Sequence, residues 1–172
     1  FRAYLDWLER AHGGAKAVSV AFKDKSHGWA HPWFTVKFDN GDIYTEDFNR
    51  TGYGRGFGMQ LFLRPACAVC KYTSVSRPAD FTLADYWGLD ERLPLPTERD
   101  KGISMVLVHS VRGQKVFDAL SGRFGQTERP LAEAVAGNPR LATPLKANPR
   151  RPAFFAAFAA LPFGEVERRF LA

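Results

Sequence analysis

Apolar side chains recur at helical spacing at the start of the chain. Tyr4, Leu5, Leu8 and Ala11 fall on one face and Gly13-Gly14 follow as a stop, so the first dozen residues are predicted to form a helix. The period then changes to two. Val18, Val20 and Phe22 alternate with Ser19 and Ala21, and Phe34, Val36 and Phe38 alternate with Thr35 and Lys37, which is the signature of half-buried strands. Asp39-Asn40-Gly41-Asp42 turns the chain; its Asn-Gly dipeptide predicts a type I′ hairpin that pairs Ile43 to Thr45 back as a third strand. KDKSHGWAHP, from Lys23 to Pro32, connects the first two strands as a loop.

Past the hairpin, TGYGRGFGMQLFL keeps Tyr53, Phe57 and Leu61 at i, i+4 spacing but carries four glycines, which predicts a flexible start and a helical end. Asp80 to Trp87 reads as a strand. Ile103 to Val108 is a nearly unbroken apolar run, which places it at the centre of a sheet covered on both faces. Helical spacing returns at Val116, Phe117 and Leu120, then in Leu131 to Ala136 and Pro152 to Leu161, with Asn138-Pro139 and Asn148-Pro149 as breaks. Strands early and helices late predict an α+β domain: a mixed, largely antiparallel sheet covered by helices, with a helical C-terminal third, over residues 1–172 as a single domain.

Composition bounds this picture. With 172 residues, 45% hydrophobic and 14% aromatic, the chain can bury a core without a disulfide staple. A net charge of +6 raises the question of nucleic acid, but Lys23, Lys25, Arg50, Arg55, Arg64, Arg77, Arg99 and Arg112 are scattered and acids interleave with them. A solvated, mildly basic surface with no nucleic-acid partner follows. The longest apolar run, Phe154 to Phe163, is about half of the roughly 20 residues of a membrane span. FRAYLDWLERAHGG reads as an amphipathic helix already under way rather than a signal sequence, so a soluble, cytoplasmic fragment of a longer chain is expected.

The two cysteines stand as C-x-x-C at Cys67 and Cys70. Two intervening residues let both sulfurs aim the same way, toward one metal ion or into a redox disulfide. Thioredoxin-type chemistry places the motif at a helix start after a strand, a setting absent here. A closed metal site needs about four ligands. His27 and His31, at H-x-x-x-H spacing, formally complete a zinc set and define an alternative reading as a non-catalytic zinc-binding or interaction module. Two further readings are small buried thiols and an iron-sulfur cluster completed by cysteines outside the chain.

In ADFTLADYWG a strand puts Phe81, Leu83, Asp85 and Trp87 on one face, which sets Asp85 among apolar neighbours and requires a partner or ligand for it. Trp29, Trp33, Tyr53 and Trp87 can stack on a flavin-like ring, and Lys23, Lys25 and Arg64 can hold cofactor phosphates; core packing and solvated surface are the plainer readings. Gly52, Gly54, Gly56 and Gly58 fit neither a dinucleotide fingerprint nor a P-loop, and no Ser-His-Asp or H-E-x-x-H set supports hydrolase chemistry.

LFLRPACAVCKYTSVSRPADFTLADYWGLD followed by DKGISMVLVHSVRGQKVF resembles the C-terminal domain of the coenzyme F420 hydrogenase/dehydrogenase beta subunit family. AVSVAFKDKSHGW, FDNG and the closing NPRLATPLKANPRRPAFFAAF extend the likeness over nearly the whole chain. The resemblance implies the C-terminal part of an iron-sulfur flavoprotein oxidoreductase, inactive alone, that relays electrons between 4Fe-4S clusters and a flavin (FAD) or deazaflavin. Its partners would be a ferredoxin-like N-terminal segment of the same chain and a redox protein or deazaflavin. By motif, Cys67 and Cys70 match the family's C-x-x-C as metal ligands. Asp80, Thr82, Asp85 and Trp87 match its D-x-T-x-x-D-x-W-G and join Lys23, Trp29 and Arg64 as cofactor-binding candidates. Ala84 stands where the family carries glycine.

Overall fold

The computed structural model describes residues 1–89, 98 and 101–172; Asp90, Arg99 and Asp100 of the sequence runs above lie outside the described residues. The chain forms two compact units, Phe1–Pro65 with Lys146–Ala172, and Ala66–Leu145. Its elements are α+β, and both sheets are antiparallel throughout.

In the first unit α1 (Arg2–Ala11) buries Tyr4, Leu5 and Leu8 and ends at Gly13 (φ 69°) and Gly14 (φ 87°), where the Gly14 N–H donates to the Glu9 carbonyl at 2.8 Å. It covers a sheet of order β1 (Ala17–Asp24), β2 (Trp33–Phe38), β3 (Ile43–Asp47). The alternation in β2 is realised fully: Phe34, Val36 and Phe38 are at most 3% exposed. Each such side chain contributes roughly 1.5–3 kcal/mol.

β1 departs from its predicted pattern, because irregularities between Ala17 and Ser19 and between Ala21 and Asp24 shift its register against β2. Ala17 and Val20 therefore pack on the core while Val18 turns outward, 65% exposed. The hairpin also differs from prediction. Only Gly41 takes positive φ (90°), and its N–H donates to the Phe38 carbonyl at 3.1 Å, so the turn is a three-residue loop closed by a left-handed glycine rather than type I′.

The glycine-rich segment reverses the expected order: its start is the helix, α2 (Gly52–Gly58), and its end is a turn. The Thr51 hydroxyl caps the Gly54 N–H at 2.9 Å, and Gln60 (φ 63°) closes the far end, with Leu61 N donating to Gly56 O and Gln60 N to Phe57 O, both at 3.0 Å. A Cβ on Gly54 would lie 1.7 Å from the Phe48 carbonyl oxygen. Gly52, Gly54 and Gly56 permit close packing, whereas Gly58 faces open space. α5 (Arg151–Ala160), α6 (Phe163–Val166) and a π-helical turn Glu167–Leu171 close a second core of Leu61, Phe154, Val166 and Leu171.

The second unit takes in the 3-10 turn Pro65–Val69 from Ala66 onward, with Cys67 on the turn and Cys70 just after it, the antiparallel pair β4 (Phe81–Asp85) and β5 (Ser104–Val108), α3 (Val111–Ala119) and α4 (Leu131–Gly137). Its core is Met105, Ala134 and Leu141, backed by Ala84, Tyr86, Leu107 and Val135. β5 is not the centre of a sheet. Among the described residues it pairs with β4 alone, one face packs on α4, and Val106 on the other is 36% exposed.

Candidate metal centre and cofactor face

Cys67 and Cys70 are free thiols, both half-buried, on and just after the 3-10 turn. The next regular element, β4, begins only at Phe81, so neither sulfur sits at the start of an α-helix. The Thr73 hydroxyl donates to the Cys70 carbonyl at 2.6 Å, and Arg77 Nε donates to the Ser74 carbonyl at 2.9 Å, which hold the segment in a folded-back course. Val69, Tyr72 and Val75 around the thiols are exposed. His27 and His31 lie in the β1–β2 loop of the first unit; His27 Nδ1 sits 3.1 Å from the Ser26 hydroxyl and its ring packs on Trp33 at 4.6 Å. Within each unit, no group of three or more His, Cys, Asp or Glu side chains converges among the described residues.

The face of β4 that is buried is the opposite of the one predicted. Thr82, Ala84 and Tyr86 turn inward, Thr82 only 7% exposed, whereas Leu83, Asp85 and Trp87 turn outward at 73% exposure for Leu83 and 47% for Trp87. Asp85 is therefore an exposed carboxylate with no desolvation to offset. Both faces of this strand mix polar and apolar residues, so alternation alone does not select the inner one.

Asp80 and Thr82 meet protein partners that sequence reasoning missed. Asp80 accepts from the Ser110 hydroxyl and from Arg112, whose Nε lies at 3.0 Å, and its backbone carbonyl accepts from His109 N at 2.9 Å. The Arg112 guanidinium, then the Ser110 hydroxyl, hold its carboxyl below the usual range. The Thr82 hydroxyl lies 2.8 Å from His109 Nε2. Ser110 also caps α3 through the Gly113 N–H at 2.9 Å, and a Cβ on Gly113 would stand 2.8 Å from the Asp80 carbonyl oxygen. The available signal is H-S-V-R-G directly after an apolar run, a helix-start pattern.

The Trp-Gly of the motif has a packing cause as well. Gly88 takes φ 73°, and a Cβ on Gly137 at the end of α4 would lie 1.8 Å from the Trp87 carbonyl oxygen. Two motifs far apart in sequence, D-x-W-G and G-N-P, thus touch through backbone. Ala84 faces the inner core opposite Met105, where its methyl group fills space. Tyr86 donates to Glu133 at 2.9 Å, and burial, then Glu133, pushes its hydroxyl pKa up.

Of the remaining candidates, all in the first unit, Lys23 is exposed on β1 with its ammonium 5.9 Å from the Phe48 ring centre, Trp29 is half-buried in the β1–β2 loop, and Arg64 is exposed.

The family model for the C terminus of the coenzyme F420 hydrogenase/dehydrogenase beta subunit matches residues 6–130. The chain belongs to this family. The match takes in the C-x-x-C, the β4 motif and the start of α3, and ends before α4 and α5. No curated protein and no solved structure matches the chain.

Proposed function

We propose that this chain is the C-terminal part of an iron-sulfur flavoprotein oxidoreductase, in which Cys67 and Cys70 supply two thiolates to a 4Fe-4S cluster. The observation that carries the reading is two free, half-exposed thiols spaced two residues apart, within the family match, with no third ligand beside them among the described residues of their unit. A cluster needs about four ligands, so the others would come from a ferredoxin-like segment elsewhere in the full-length protein. Such a cluster passes electrons singly and a flavin stores them in pairs.

Asp85 and Trp87, which face outward from β4, are proposed from the motif as contacts of a flavin or deazaflavin, and Lys23, Trp29 and Arg64 of the first unit stand as separate cofactor-binding candidates. The polar atoms of Asp80 and Thr82 are engaged by Ser110, Arg112 and His109, which fits these two to supporting the strand from behind. Metal and flavin analysis of anaerobically purified full-length protein tests the reading. Iron, sulfide and flavin absorbance are expected; stoichiometric zinc with neither iron nor flavin would overturn the reading in favour of a non-catalytic zinc-binding module.

A further inference from the structure

The helix α5 carries no charged side chain after Arg151, and none follows until Glu165. A helix that is apolar all round belongs inside a core or an apolar phase. Here only Phe154 is buried and Ala157 half-buried. Pro152, Ala153, Phe155, Ala156, Phe158, Ala159 and Ala160 form an exposed arc, with Phe155 at 37% and Phe158 at 41%.

The surface joined to this arc is cationic. Arg151 stacks on Phe155 at 4.5 Å, Arg150 donates to the Arg169 carbonyl at 3.0 Å and stacks on Phe170 at 5.1 Å, and Arg168, which precedes Arg169 in the chain, is exposed. Of the acids nearby, Glu165 pairs with Arg169, Asp6, which lines a groove beside Phe158, pairs with Arg2 at 2.7 Å, and Glu167 is half-buried beside Gly52.

We propose that the exposed face of α5 seats on an anionic lipid surface, with Phe155 and Phe158 entering the acyl boundary and Arg150, Arg151 and Arg168 meeting the headgroups. Charge complementarity selects a negatively charged occupant. The absence of any side-chain donor or acceptor from Pro152 to Ala160 selects lipid over a protein partner, since protein interfaces carry about one hydrogen bond per 100–200 Å² and acyl chains require none. The helix contains none of the cluster or flavin candidates, so this contact is tested separately from that reading.

Sedimentation with vesicles tests it, using phosphatidylcholine alone and phosphatidylcholine mixed equally with phosphatidylglycerol. The protein is expected to pellet with the mixed vesicles only, with affinity falling about tenfold as salt rises from about 0.05 to 0.5 M. Phe155→Glu with Phe158→Glu should abolish pelleting, and Arg150→Glu with Arg168→Glu should weaken it about tenfold. Ala156→Glu, which removes no aromatic packing, should act in the same direction, and circular dichroism checks that each variant folds. No pelleting with the mixed vesicles, or equal pelleting of parent and Phe variants, overturns the proposal. So does a dimer in light scattering that the Phe variants dissociate, which would assign the face to a second copy.

Discussion

Asp80 shows how the partners of one side chain can escape the sequence. Its motif suggests a cofactor ligand, yet its oxygens are taken by Ser110 and Arg112, residues about thirty positions later that only the fold brings near. Its depressed pKa carries a sign. A carboxyl held below its unfolded value, about 3.9, stabilises the fold above that pH and loses the contribution as pH falls through the lower folded value. Asp80→Asn is therefore expected to lower the melting temperature at pH 7 and to flatten its acid limb below about pH 4, measured by thermal unfolding across pH. A variant whose acid limb matched the parent would remove Asp80 from that linkage. Cys67 and Cys70 are legible as a pair from spacing alone. His109, Ser110 and Arg112 are not, because their pairing with β4 is a contact between distant segments.

Among the elements, those built on one clean period are legible. α1, β2 and the helices near Val116, Leu131 and Pro152 form where the spacing places them, and α1 and β2 bury one continuous face as the pattern requires. The departures share a cause: local composition cannot decide a tertiary question. The apolar β5 run has one partner strand among the described residues, β1 is rephased by bulges, and Gly52, Gly54 and Gly56 of α2 serve close packing where the glycine count suggests looseness. α2 offers a direct check. Gly54→Ala, with its Cβ driven into the Phe48 carbonyl, should destabilise by roughly 3 kcal/mol or more, since overpacking costs that much when backbone must move. Gly58 has nothing within 4 Å, so Gly58→Ala should stabilise by about 0.5–1 kcal/mol through helix propensity. Denaturant midpoints of the two variants moving in the same direction would contradict the packing account.

For the whole molecule, the α+β class and the family are both readable, since the motifs from AVSVAFKDKSHGW to DKGISMVLVHSVRGQKVF run in order along residues that the family model matches, while the closing run from Asn138 lies past that match. What the motifs do is less readable. They divide by role in the structure. Asp80, Thr82, Gly88 and Gly137 hold the second unit together, whereas Cys67, Cys70, Asp85 and Trp87 keep surface that the unit's own packing leaves open. The account's central claim rests on the thiols. Iron content and the electron paramagnetic resonance of the dithionite-reduced, anaerobically purified full-length protein test it most directly, compared with Cys67→Ser and Cys70→Ser. Each variant should lose one cluster's iron and signal while retaining the parent's far-ultraviolet circular dichroism; iron content and spectrum unchanged in both would contradict a cluster at this C-x-x-C.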